Sequence, residues 1–216
     1  MRSKRMWTTM ATMVTVAALC GVAAAGNRRK AYSNGVEDAD ATSWWFAGNA
    51  GVDRGVGLSH TGANNVWARG TSGWNAVNIE MPTLPGASCT ATIWVRRSAT
   101  LSNGVVSVHG FGAGLPLVTQ QNLDQGPSMP PDRYDQYSLS FTATALSQLL
   151  LVGFWGNGQD AWVQVDDMRI ECNQECSART CADFEAECGT RDDGCGNMLQ
   201  CGHCDNGESC HANMCF

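Results

Sequence analysis

Charge is scarce in this chain of 216 residues: Asp, Glu, Lys and Arg make up 16% of it, and one lysine, Lys30, follows residue 25. The first 25 residues hold Arg2, Lys4 and Arg5 and no acid, and the remainder carries 11 basic against 20 acidic residues. Such a surface repels phosphate backbones, which excludes nucleic acid as an expected partner. Catalytic signatures are missing too. There is no Gly-x-Ser-x-Gly elbow, no His-Glu-x-x-His pair, and no glycine loop leading into Lys and Ser/Thr. After residue 25 no apolar run approaches the roughly 20 residues of a membrane helix. What is present, 44% hydrophobic residues and 8 Trp, excludes intrinsic disorder.

The one long uncharged run, residues 6–22, follows the three basic residues and closes on Ala23-Ala24-Ala25. That layout reads as a signal peptide over residues 1–25, hence a secreted or cell-surface protein with no membrane span once it is cleaved. Cys20 is preceded by Leu19, where a lipoprotein site needs a small residue. Ten cysteines then remain in an oxidising compartment, and disulfides are the default. Cys89 and Cys172 stand apart, whereas Cys176, Cys181, Cys188, Cys195, Cys201, Cys204, Cys210 and Cys215 crowd the last 41 residues. Two modules follow, one over residues 26–172 and a small cysteine-rich one over 173–216.

In the larger module no window repeats apolar residues at helical spacing. Short alternating runs at 65–69, 76–81, 90–96, 105–108, 137–142, 149–154 and 161–169 read as strands. Turn residues at 70–73, 82–86, 102–104, 127–132 and 156–158 separate them. The pattern predicts an all-β sandwich or jelly roll. Alternation puts Ala91, Ile93 and Val95 on one face and Thr92, Trp94 and Arg96 on the other; Trp67 and Arg69 likewise oppose Val66 and Ala68. Outward indoles beside outward guanidinium groups suit sugar rings, whose axial C–H bonds offer an apolar patch while arginine bonds the hydroxyls. Trp44, Trp45 and Trp162 fit a core or a groove equally well.

Four elements in register carry a resemblance. They are Asn34-Gly35-Val36-Glu37-Asp38, then Trp44-Trp45, then Ser59-His60-Thr61-Gly62 before the run at 65–69, and finally residues 162–170 with Asp166-Asp167. Together they resemble the carbohydrate-binding module superfamily of families four, nine and twenty-two. The resemblance implies a galactose-binding-domain-like jelly roll with a glycan groove on the concave sheet or along its edge loops. It also implies a structural calcium ion held by Gly35, Glu37 and Asp166 or Asp167, although one residue is missing between Gly35 and Glu37. Carboxylates from the first and last strands are in any case hard-cation ligands if they meet. The stretch between Ser98 and Tyr134 is long and loop-like, with Pro116, Pro127, Pro130 and Pro131, and departs from the family.

The small module has few large apolar side chains and depends on disulfides, each contributing about 2–4 kcal/mol. Eight cysteines permit 105 pairings. Cys172 pairs either with Cys89 across the sandwich or with the tail. Cys201-Gly202-His203-Cys204 superficially resembles a disulfide-isomerase pair, and Cys201, Cys204, Cys210 with His203 or His211 have ligand types for zinc; secretion favours disulfides over both. Residues 188–196 resemble short modules of secreted bacterial and fungal proteins.

The expectation is a secreted, lectin-like, non-catalytic protein that binds a polysaccharide or glycan through Trp45, Trp67, Arg69, Trp94 and Arg96, with calcium as a structural ion. Two rivals stand beside it: a cell-surface adhesion protein with a protein partner, and a jelly-roll lyase using His109, Tyr134 or Tyr137, and Arg96.

Overall fold

The computed structural model describes residues 25–55, 58–111, 114–123, 133–205 and 207–216. The basic residues and apolar run of the leader, Cys20, and prolines 127, 130 and 131 lie outside them. Nine strands form the main sheet: β1 (Ala25–Asn34), β2 (Trp44–Ala47), β3 (Ala50–Arg54), β4 (Asn64–Pro82), β5 (Ser88–Arg97), β6 (Gly104–Gly110), β7 (Leu117–Asn122), β8 (Asp135–Thr142) and β9 (Ser147–Ser177). β6 and β7 pair within the stretch expected to be loop-like.

Two strands build both layers. Residues 66–70 of β4 pair with 161–165 of β9, and residues 72–82 pair with 147–157, with a register shift between Gly70 and Ser72. The segments 70–73 and 156–158, expected to be turns, are therefore corners at which continuous strands bend from one layer into the other, as bulges allow. Close approach explains the glycine at one corner: a Cβ on Gly156 would lie 2.2 Å from the Ser72 backbone nitrogen. The first layer holds β3, the start of β4, the end of β9, β5 and β8, with β1 along the last turn of β9. The second holds β2, the end of β4, the start of β9, β6 and β7.

Between them lies one core. Val66, Ala68, Ala91, Ile93, Val95, Leu139, Val163 and Val165 from the first layer meet Val77, Ile79, Val106, Val108, Leu150, Val152 and Phe154 from the second. Trp44 joins them, its indole N–H donating to the Asn34 side chain at 2.9 Å. The alternation read from the sequence is borne out at β4 and β5: their apolar sets point inward, and Trp67, Arg69, Trp94 and Arg96 point away from the core.

β9 runs on past Cys172 to Ser177, still paired with β1. The tail holds two small hairpins, β10 (Thr190–Asp192) with β11 (Met198–Gln200) and β12 (Cys210–His211) with β13 (Met214–Cys215). Disulfides join Cys89 to Cys172, Cys176 to Cys195, Cys181 to Cys201, Cys188 to Cys210 and Cys204 to Cys215. All ten cysteines among the described residues are bonded. Cys201 and Cys204 take different partners, so the isomerase-like pair is absent, and no thiolate of the zinc set is free.

Candidate functional site

A cleft of about 510 Å³ opens on the outer face of the first layer. The sheet register assembles it: Trp67 lies opposite Gln164, Gln164 opposite Arg96, and Arg69 opposite Trp162. Trp67 rests on the bare backbone of Gly51 beside it, where an added Cβ would sit 3.3 Å from the indole. Trp162 forms the facing wall, with the Arg96 guanidinium 5.3 Å from its ring centroid. Asn49, Asp53 and Leu58 complete the rim. Trp67, Arg69 and Arg96 are thus brought together as expected.

Polar groups in the cleft differ in how far they are committed. Arg69 holds Asp160 through Nε at 2.9 Å and Nη2 at 2.5 Å. That hydrogen bond and charge hold the Asp160 carboxyl below the usual carboxylate range. Arg96 is 5% exposed, donates from Nη1 to Gln164 Oε1 at 2.9 Å, and has no partner for Nε. Gln164 donates from Nε2 to Asp53 Oδ2 at 3.5 Å. The result is a slot with aromatic walls, one donor-rich side at Arg96 and one acceptor-rich side at Asp53 and Asn49.

The other two expected residues are elsewhere. Trp94 is covered by the His60 ring, stacked at 4.0 Å and 16°, and lines a separate depression beside Asp167 and Gln136. Trp45 is half exposed on the second layer. There it heads a row running through Asn78, Leu151, Ser107 and Gln120. One end of that face carries Trp74 and Trp155, an opposed pair with ring centroids 5.9 Å apart, Trp155 being 59% exposed. Its floor is made of small residues: a Cβ on Gly153 would meet Trp74 at 2.7 Å and Ala76 at 2.6 Å. Trp74 and Trp155 escaped the sequence reading because both sit beside glycines taken for turns. Trp162 was left between core and groove; its register with Arg69 decides for the groove.

The lyase constellation is dispersed. Arg96 faces out from the first layer, Tyr137 points into the core, and Tyr134 donates to the Leu58 carbonyl at 2.8 Å. His109 belongs to the second layer, bonded to Ser107 Oγ and the Leu115 carbonyl, both at 2.9 Å.

Gly35, Glu37, Asp166 and Asp167 gather around the turn at residues 59–64. Glu37 accepts from the backbone N–H groups of Ala63 (2.8 Å) and Asn64 (2.9 Å). Asp166, fully buried, accepts from the N–H groups of His60, Thr61 and Asp167. Asp167, at a positive φ of 46°, binds His60 Nδ1 at 2.6 Å and accepts from Thr61 Oγ1 at 2.8 Å. Burial and the Asp167 charge push the Asp166 carboxyl up to about 6 despite its three N–H donors. These carboxylates tie down the turn. Among the described residues, the only group of three His, Cys, Asp or Glu side chains with ligand atoms within 4.8 Å of one another is the disulfide sulfurs of Cys188, Cys204 and Cys215.

No protein-family model and no curated protein matches the chain. Among solved structures it is similar to the CBM22-1 xylan-binding domain of Paenibacillus barcinonensis Xyn10C, at 14% identity over 65% of this chain and 92% of that one, with a TM-score of 0.47. It is similar to TmCBM61, crystallised with β-1,4-galactotriose, at 13% identity over 63% and 92% with a TM-score of 0.44. It is also similar to the K1 cleaved adhesin domain of Lys-gingipain from Porphyromonas gingivalis W83, at 13% identity over 65% and 97% with a TM-score of 0.45. The neighbours of this all-β sandwich with its disulfide-rich tail thus include carbohydrate-binding modules.

Proposed function

We propose that the chain is a secreted, non-catalytic carbohydrate-binding protein that docks a polysaccharide or glycan in the cleft between Trp67 and Trp162. One observation carries the reading: two indoles wall a slot of about 510 Å³ into which Asn49, Asp53, Arg69, Arg96 and Gln164 bring hydrogen-bonding side chains. Pyranose rings match that mixture, apolar on their C–H faces and polar at their edges. The dispersal of His109, Tyr137 and Arg96 supports a binding role over the lyase. The Trp74–Trp155 pair offers a second platform on the opposite layer, with Trp45 along the same face.

Affinity electrophoresis through soluble polysaccharides, with pull-down on insoluble ones, tests the reading. Trp67→Ala and Trp162→Ala should each weaken retention by about 30-fold, since truncating a tryptophan anchor costs roughly 2 kcal/mol or more. Trp94→Ala should leave it unchanged, because His60 already covers that ring. Trp155→Ala reports on the second platform. No retention of the unaltered protein on any glycan would reject the reading and favour a protein partner.

A further inference from the structure

The glycan reading leaves one group in the cleft unexplained. Arg96 is 5% exposed, yet no carboxylate among the described residues pairs with it, and its Nε has no hydrogen-bond partner. A buried guanidinium without a counter-ion is costly, and an orphaned charged donor adds to the cost. The other arginine of the cleft is already taken by Asp160. Trp162 beneath the guanidinium lowers the cost by a cation–π contact, but it accepts no hydrogen bond. Arg96 therefore lines the cleft as a guanidinium with one arm bonded to Gln164, no counter-ion and a shielded, unpartnered Nε.

We infer that this guanidinium binds a carboxylate, so the cleft selects glycans that carry uronic acid residues. This rests on the glycan reading above. Carboxylate geometry matches a guanidinium edge with two parallel N–H···O bonds, which a neutral hydroxyl cannot supply. The opposite wall argues for a mixed ligand and not for a free anion. Asp53 and Asn49 are acceptors set for sugar hydroxyls, and an inorganic anion would gain nothing from them or from the indoles. A uronosyl ring has the required sequence of groups: carboxylate toward Arg96, ring face against Trp67 or Trp162, hydroxyls toward Asp53.

The test compares trigalacturonate with its methyl ester, which keeps the ring, the hydroxyls and the bulk and removes only the charge, by calorimetry with the full chain in the presence of a chelator. Cellotriose and xylotriose serve as neutral references. The acid should bind about tenfold or more tightly than the ester, as charge-assisted bonds exceed neutral ones by that much. The advantage should shrink with added salt and vanish in Arg96→Gln, while Trp67→Ala weakens acid and ester alike. Equal binding of acid and ester to the unaltered protein overturns the inference and leaves the glycan reading standing. Binding of the neutral oligosaccharides alone also overturns it. If no saccharide binds, the glycan reading fails at this cleft and the inference fails with it. The acid–ester comparison needs no variant, so a misfolded Arg96→Gln would not obscure the outcome.

Discussion

Replacing Cys89 and Cys172 together by alanine removes the one covalent link within the sandwich. The two residues are directly opposed on β5 and β9, with Cα atoms 4.0 Å apart, and both are 1% exposed. In the native state the bond duplicates what the strand ladder already holds, so its effect falls on the unfolded chain. It closes a loop of 83 residues, for which the chain-entropy relation gives about 4.5 kcal/mol at 25 °C. At 2–4 °C per kcal/mol, the melting temperature should drop by about 9–18 °C. Urea unfolding followed by tryptophan fluorescence should show the midpoint falling and the m-value rising, because the released chain exposes more surface. The same ladder places Arg96 opposite Gln164, so ligand affinity should fall well before global unfolding. A loss below about 1 kcal/mol with an unchanged m-value would refute the reasoning, since the constraint would then be absent from the unfolded state.

Three further outcomes are expected. Burial and the neighbouring Asp167 charge raise the Asp166 carboxyl from 3.8 to about 6 in the fold. Because its folded value is raised, stability from this residue is full below about pH 4, falls as pH rises to about 6, and stays lower by about 3 kcal/mol above that; thermal melts of the unaltered protein and Asp166→Asn across pH 4–7 check it, and a flat difference would contradict it. Calcium added to chelated protein should leave the melting temperature within about 1 °C, because the candidate carboxylates are engaged by N–H donors; a rise of several degrees would show that the turn reopens to coordinate the ion. Gly51→Val should displace the Trp67 indole and weaken glycan retention by about tenfold or more while unfolding shifts by less than about 1.5 kcal/mol; retention unchanged would remove Trp67 from the site.

Strand faces were readable because a period of two leaves no choice once Val66, Ala68, Ile93 and Val95 must be buried. That turned Trp67, Arg69 and Arg96 outward, and the register of β4, β9 and β5 brings them together. Strand length was not readable. Residues 70–73 and 156–158 have turn composition, and only the pairing partner across the corner shows that β4 and β9 continue through them. The same blindness hid Trp74 and Trp155. Nor does sequence distance reveal what covers a ring: Trp94 has the right face and spacing, but the turn at 59–62 brings His60 over it. The calcium expectation came from residue types; that the turn's own amides donate to Glu37 and Asp166 is visible only in the fold.

β1 and β9 are antiparallel, with Ala25 beside Ser177, so both chain ends of the sandwich leave from one edge. Tension applied between the leading end and the knotted tail would peel these two strands apart bond by bond, a mode that yields at low force. On the β9 side peeling stops at Cys172, where the bridge to Cys89 hands the load to β5. A pull between the two ends would therefore lengthen the chain at β1 before it reached the tryptophan-walled slot.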